Sequence, residues 1–170
     1  MTKSIAKHIV YSLLILSFQV VILNNLNISQ YIFPMLYPIV ILSQGRNLNA
    51  SLLLTIGFGL GLIMDVFSNT GGAHTVACTV IAYIRPLFLS SFGPMDMGSE
   101  HIKPSIFNFG VKKYALFVFF TLVIHHILFF FLEAFSFSNV LNTFLRIFGS
   151  LIFSWSLSMA IQYLFVSKEK

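Results

Sequence analysis

Charged side chains are scarce in this sequence. Of its 170 residues, 9% are charged and 57% are hydrophobic, whereas a soluble globular domain has about 25% charged residues. A soluble particle with so few charges could not cover its surface. The same composition excludes an intrinsically disordered chain, because disordered chains are poor in apolar residues. We therefore expect lipid to surround most of the chain, with no room for a separate soluble domain.

Cysteine is nearly absent too, and the motifs of several enzyme classes are missing. Cys78 is the single cysteine, which excludes an internal disulfide and a metal site built from several cysteines. There is no His-Glu-x-x-His motif, no phosphate-binding glycine loop with lysine and no Gly-x-Ser-x-Gly motif. The basic residues are too scattered to form a nucleic-acid-binding patch. We expect no catalytic residue, cofactor or metal, and no nucleic-acid partner.

Long apolar runs are what the sequence has instead. A membrane-spanning helix needs about 20 apolar residues. The runs predict an all-α, polytopic membrane protein of one domain with six transmembrane helices, at about 8–24, 28–44, 48–67, 74–92, 113–135 and 141–166. The second run contains Pro34 and Pro38, which remove backbone donors. We expect a kinked or irregular start there, and five helices are the alternative if this segment does not cross fully.

The basic residues indicate an orientation, because Lys and Arg are enriched in cytoplasmic loops. With the N-terminus inside, eight of the ten basic residues lie on the cytoplasmic side. The predicted outer loops contain neither Lys nor Arg. The sequence therefore predicts that both termini are cytoplasmic. The first run starts like a signal peptide, but no small-residue cleavage site follows it, so we expect a retained helix.

Four ionisable residues fall within spans or at their ends. Each costs about 2.5–3.5 kcal/mol near the middle of a membrane, so it should face other helices, water or a partner. Glu133 and Arg146 lie near the outer ends of adjacent helices, and we expect them to pair. Arg85 is expected to reach towards the cytoplasmic headgroups, in preference to binding a carbonyl freed by Pro86. Asp65 is the fourth.

Asp65 follows two glycines at helical spacing. Gly57 and Gly61 are four residues apart, which allows two helices to approach closely, and Asp65 shares their face of the helix. A polar loop that includes Gly72 follows at once. We prefer a role for Asp65 in fixing the turn between the third and fourth helices. A role in binding a partner or ligand is the alternative, since ionisable groups in membranes are often functional.

The fifth span contains two adjacent histidines. His125 and His126 point about 100° apart on a helix, so they cannot bind one metal ion together. His126 shares a helix face with Glu133, which makes a proton relay conceivable. We prefer a hydrogen bond from His126 to a neighbouring helix, because it needs no further partner.

These residues together resemble a known family. The pattern Gly57-Phe58-x-Leu60-Gly61-Leu62-x-x-Asp65, followed by Gly72 and Ala82-Tyr83-x-Arg85-Pro86, is similar to the core of MreD, the rod-shape-determining membrane protein family. The likeness covers nearly the whole chain and continues in Asp65-Val66-Phe67-Ser68-Asn69-Thr70-x-Gly72-x-His74, His125-His126 and Leu132-Glu133-Ala134-Phe135-Ser136-Phe137.

The resemblance implies a six-helix bundle similar to the substrate-binding components of energy-coupling-factor transporters. It implies location in the bacterial cytoplasmic (inner) membrane and association with MreC. It also implies a non-enzymatic scaffold role, with the glycosyltransferase RodA and its transpeptidase, in the complex that inserts peptidoglycan during elongation. The alternative is a small-molecule transporter component of the same architecture. Such components resemble one another in docking through small residues on the first helix, and Ile9 to Leu23 contains no alanine or glycine.

Overall fold

The computed structural model describes residues 2–26, 28–46, 48–93, 103–135 and 139–165. The described residues are helical, joined by turns and irregular segments. A 3-10 turn, Leu23–Asn25, follows the first helix. The α-helices are α1 (Thr2–Val21), α2 (Pro38–Leu42), α3 (Ala50–Ser68), α4 (Ala73–Phe92), α5 (Ile106–Phe109), α6 (Val111–Ala134) and α7 (Val140–Phe165).

Four of these helices are long and apolar enough to cross a membrane. They are Ala50–Ser68, Ala73–Phe92, Val111–Ala134 and Val140–Leu164, and a shorter apolar helical stretch covers Ile9–Asn25. The predicted all-helical fold is therefore confirmed, whereas the structure supports four of the six predicted spans. The fifth predicted helix begins slightly earlier than expected, and the short α5 lies in the loop that precedes it.

The second predicted span differs most from the structure. A helix with a kinked or irregular start was expected over 28–44, and only Pro38–Leu42 is α-helical. Residues 28–37 form turns and extended backbone. Pro34 and Pro38 explain the difference, because proline lacks the amide hydrogen of a helical bond, and its ring disfavours a helical residue before it. We call residues 28–45 the irregular segment.

The long helices pack in the order α3, α4, α6, α7, each against the next, and α2 contacts α3, α4 and α6. Gly149 of α7 approaches Tyr31 at the start of the irregular segment, and Arg85 of α4 reaches Leu42 near its end. The segment thus runs from the Asp65 end of the bundle, which holds the α3–α4 turn, to the Arg85 end, which holds the start of α6. Its residues Met35 to Leu42 are buried.

The outer faces of the helices are apolar. Val66 and Tyr83 are each 73% exposed, and many other large apolar side chains of the long helices are exposed as well. A water-soluble protein seldom exposes apolar surface so widely. The polar side chains described below lie inside, which is the arrangement expected where lipid is the surrounding solvent.

Candidate functional site

The α3–α4 contact depends on two glycines. A Cβ atom added to Gly57 would lie 2.8 Å from the Cβ of Ala82 and 2.9 Å from the carbonyl oxygen of Cys78. One added to Gly61 would lie 2.4 Å from the Cα of Thr75. The two backbones therefore touch where any other residue would hold them apart. The face predicted from the four-residue spacing is the face that packs against α4.

Asp65 lies at the end of α3 and binds the start of α4. Its Oδ1 accepts hydrogen bonds from the Thr70 hydroxyl at 2.6 Å and the His74 amide at 3.0 Å. Its Oδ2 accepts from the amide and the hydroxyl of Thr75 at 2.8 and 2.5 Å. A carboxylate there satisfies free amides and opposes the helix dipole. Gly72 precedes α4 with φ +104°, a conformation that favours glycine. The contacts are those of a turn-fixing residue.

Arg85 is 1% exposed, so the expectation that it reaches towards headgroups is wrong. Its Nη2 donates to the Leu42 carbonyl at 3.2 Å and to the Gln44 carbonyl, and its Nη1 donates to the Gly45 carbonyl at 3.5 Å. These carbonyls lie at and just after the end of α2, not in the turn before Pro86. The last carbonyls of a helix have no partner within it, so a buried guanidinium with several donors can bind them.

Gln19 of α1 satisfies the backbone of the irregular segment from one side. Its Oε1 accepts from the amides of Leu36 at 2.6 Å and Tyr37 at 3.4 Å. Its Nε2 donates to the Pro34 carbonyl at 2.9 Å. Buried amides and carbonyls need such partners when no helix supplies them. The sequence analysis missed Gln19, although an amide side chain within an apolar run was a usable signal.

Two serines of α7 satisfy the same segment from the other side. The Ser150 hydroxyl accepts from the Phe33 amide at 2.9 Å, and the Ser154 hydroxyl accepts from the Met35 amide at 2.8 Å. Serines four residues apart lie on one helix face, and they meet alternate residues of an extended backbone. These serines were also missed, and their spacing in an apolar helix was the available signal.

Three buried side chains from different elements meet at Tyr37. Its hydroxyl lies 2.6 Å from Nδ1 of His74 and 2.8 Å from Nε2 of His125. The His74 ring stacks on Phe129, with centroids 4.2 Å apart. This Tyr37 cluster joins the irregular segment, α4 and α6. Sequence reasoning singled out both histidines but not the tyrosine that joins them.

His126 has separate partners. Its Nδ1 donates to the Leu122 carbonyl at 2.8 Å, and its Nε2 lies 3.3 Å from the Ser154 hydroxyl. The preferred prediction, a hydrogen bond between His126 and a neighbouring helix, is confirmed, with Nε2 accepting from the Ser154 hydroxyl. Across the described ranges, no three His, Cys, Asp or Glu side chains are grouped as metal ligands.

Glu133 and Arg146 form the ion pair expected between α6 and α7. The nitrogen–oxygen distances are 2.9 and 3.0 Å, so both carboxylate oxygens are used. The guanidinium also lies over the rings of Phe33 and Phe130, 4.6 and 4.9 Å from their centroids. The pair therefore fastens the start of the irregular segment to α6 and α7 through cation–π contacts.

A cavity of about 720 Å³ lies at the Asp65 end of the bundle. Its wall is formed by α1, the irregular segment, the α3–α4 turn and α6, with contributions from Arg146. Side chains of differing chemistry line it, among them Gln19, Phe33, Ser68, His74, Phe129 and Glu133. The cavity lies beside the Tyr37 cluster and the ion pair, and three of the singled-out side chains, His74, Glu133 and Arg146, line it together.

The predicted candidates divide among three places. The α3–α4 contact and turn are formed by Gly57, Gly61, Asp65 and Gly72. Arg85 binds the end of α2. The pair Glu133 and Arg146 joins α6 to α7. Comparison of the chain with models of known protein families, with curated proteins and with solved structures finds no match.

Proposed function

We propose that this chain is a non-enzymatic membrane scaffold of the MreD type, which associates with MreC and, through the elongation complex, with RodA and its transpeptidase partner. The observation that carries the proposal is the assembly of the residues on which the resemblance rests. Gly57 and Gly61 contact α4, Asp65 holds the amide of His74, and His74 meets the cluster that contains His125. A motif spread over three helices thus forms one connected interior.

The use of polar groups also supports a scaffold. The buried Gln19, Ser154 and Arg85 side chains bind backbone groups of this same chain. Such side chains stabilise a fixed shape, and the apolar exterior of the long helices leaves large surfaces for lipid or for helices of a partner. Both properties are needed in a protein that positions others within a membrane.

A six-crossing arrangement with cytoplasmic termini belongs to this proposal. The four long apolar helices account for four crossings. The helical stretch Ile9–Asn25 and the irregular segment, which runs from the Asp65 end to the Arg85 end, supply the other two. Non-helical backbone is tolerated in a membrane when it is buried in protein and its polar groups are satisfied. Three exposed basic residues lie at the Arg85 end: Arg46, Lys112 and Lys113. Their position fits an orientation in the bacterial inner membrane in which this end faces the cytoplasm.

Depletion in the native bacterium tests the scaffold role. We expect rod-shaped cells to become round and swollen, because side-wall insertion loses its membrane organiser. A tagged copy of the chain should restore the rod shape and co-purify with MreC from detergent extracts. Normal shape after depletion, or no MreC in the purified material, would contradict the proposal.

The cavity favours a second candidate, a small-molecule transporter component of the same architecture. A space of about 720 Å³ falls within the range of ligand pockets, about 300–1,000 Å³. The absence of alanine and glycine between Ile9 and Leu23 argues against it, since the resemblance implies that such components dock through small residues on the first helix. Depletion separates the two functions: normal shape with a new nutrient requirement would favour transport.

A further inference from the structure

The cavity at the Asp65 end is neutral overall. The acidic and basic side chains that line it are Glu133 and Arg146, and both oxygens of the carboxylate bind the guanidinium. An ion entering the cavity would therefore lose hydration without gaining a free counter-charge, which is unfavourable. The lining selects for molecules without net charge.

The Tyr37 cluster determines which ring nitrogen of His74 carries its proton. Nδ1 of His125 is buried and has no hydrogen-bond partner within the described part of the chain. Buried amide-type hydrogens without a partner are rare, so the proton of neutral His125 belongs on Nε2, where it is donated to the Tyr37 hydroxyl. That hydroxyl then donates its own proton to Nδ1 of His74.

His74 consequently carries its hydrogen on Nε2. The side chain is 3% exposed and lines the cavity, and no described residue accepts from this nitrogen. Nε2 is thus an unused donor at an almost fully buried residue. A ligand that offers an oxygen acceptor would satisfy it, whereas a ligand that offers only donors would not.

Aromatic and apolar side chains form part of the wall next to His74, alongside uncharged polar side chains that include Gln19, Asn24 and Thr70. Phe129 stacks on the imidazole, and Phe33, Met35 and Phe67 also face the space. Aromatic walls with a few directed polar groups are typical of small-molecule pockets.

We propose that this cavity binds a small, uncharged organic molecule with an apolar ring or chain and an oxygen that accepts a hydrogen bond from Nε2 of His74. The site goes beyond the scaffold role and does not depend on it. A ligand held there contacts α1, the irregular segment, α4 and α6 at once, and its binding energy would hold these elements together.

Three soluble probes that share a benzene ring test the chemistry. Benzamide is neutral with a carbonyl acceptor, benzoate is an anion, and benzylammonium is a cation with donors only. The protein is reconstituted in lipid nanodiscs, and each probe is titrated by saturation-transfer NMR, with empty nanodiscs as the blank. We expect benzamide to bind most tightly. Equal binding of the three, or tighter binding of either ion, would overturn the proposal.

Substitutions locate the binding. His74→Phe keeps an aromatic ring on Phe129 but lacks the donor. It should weaken the binding of benzamide about fivefold, the effect of one hydrogen bond.

Ser68→Trp narrows the cavity from a partly exposed position outside the core and should abolish binding even if the His74 variant folds poorly. Val66→Trp, two residues away on the exposed face of α3, is the control. Binding that survives Ser68→Trp, or is lost equally in Val66→Trp, would show that the cavity is not the site.

Discussion

The α3–α4 hairpin and the irregular segment are both buried, but they satisfy their backbones in opposite ways. In the hairpin, each helix forms its own hydrogen bonds, and Asp65 supplies the free amides at the turn. Gly57 and Gly61 let the two backbones touch. In the irregular segment, the backbone has few partners of its own, and Gln19 and Arg85 supply them from other elements.

The difference shows where polar side chains are needed inside a lipid-exposed protein. Two regular helices can pack closely when glycine replaces larger residues at their contact, because their amides and carbonyls are already paired within each helix. A chain broken by prolines must recruit polar groups from its neighbours, since leaving a buried amide unpaired costs several kcal/mol in lipid. Substitutions in both regions test this contrast, and they are given in decreasing order of the stability that each should remove.

Gly61→Ala should be the most damaging. Its Cβ would lie 2.4 Å from the backbone of Thr75, and the two helices would have to separate, which costs about 3 kcal/mol. Gly59→Ala is the matched control, because nothing lies within 4 Å of its Cβ, and alanine favours the helix by ~1 kcal/mol. Thermal unfolding of the purified protein in detergent measures both. Similar unfolding temperatures for the two variants would show that backbone contact does not hold the hairpin.

Arg85→Met should come next. The change leaves the carbonyls of Leu42 and Gln44 without a donor in a buried site, at a cost of about 2 kcal/mol. Arg46→Met, at an exposed position beside the same carbonyls, should change stability by less than ~0.5 kcal/mol. Thermal unfolding in detergent again measures the loss of stability in each variant. Equal losses would show that the buried guanidinium of Arg85 does not stabilise the end of α2.

Gln19→Leu replaces the amide by an apolar side chain and so removes the acceptor for the amides of Leu36 and Tyr37. We expect a loss of about 1.5 kcal/mol, together with faster hydrogen exchange at those two amides and little change in α3. Gln30→Leu is the exposed control. Unchanged exchange at Leu36 and Tyr37 in the Gln19 variant would contradict the assignment.

The ion pair should have the smallest effect. The Arg146 and Glu133 side chains are 23% and 30% exposed, so solvent weakens their attraction to about 0.5–1 kcal/mol. Single reversals, Glu133→Arg and Arg146→Glu, should lower the protein level. The double reversal should restore only part of it, because Arg146 also lies over Phe33 and Phe130. A double variant no better than the single ones would argue against the pairing.

The same contrast explains how much the sequence predicts. Gly57, Gly61, Asp65 and Gly72 lie within 16 residues of one another, and their spacing alone indicated close packing followed by a turn. Glu133 and Arg146 were paired correctly because a short loop joins their helices. Local spacing therefore carried enough information wherever the partners are close in sequence.

Local spacing did not predict the partners of Arg85 or the extent of the irregular segment. Arg85 binds carbonyls about 40 residues earlier in the chain. Pro34 and Pro38 indicated an irregular start to the second run, but not that the irregular backbone extends to residue 37. In the Tyr37 cluster, His74 lies 37 positions after Tyr37 in the chain, and His125 lies 88 positions after it. Nothing in the spacing of the sequence relates such residues, because the fold alone determines which of them meet.

The serines of α7 have a consequence for synthesis of the protein. The amides of Phe33 and Met35 find their partners 117 and 119 residues later in the chain. At ~10 residues per second, the ribosome makes those partners about 12 s after the segment itself. Until α7 joins the bundle, the two amides need water, a lipid headgroup or a protein of the insertion machinery. Helix α7 therefore completes the burial of the irregular segment, and a chain that stops before Ser150 should be a substrate for membrane proteases.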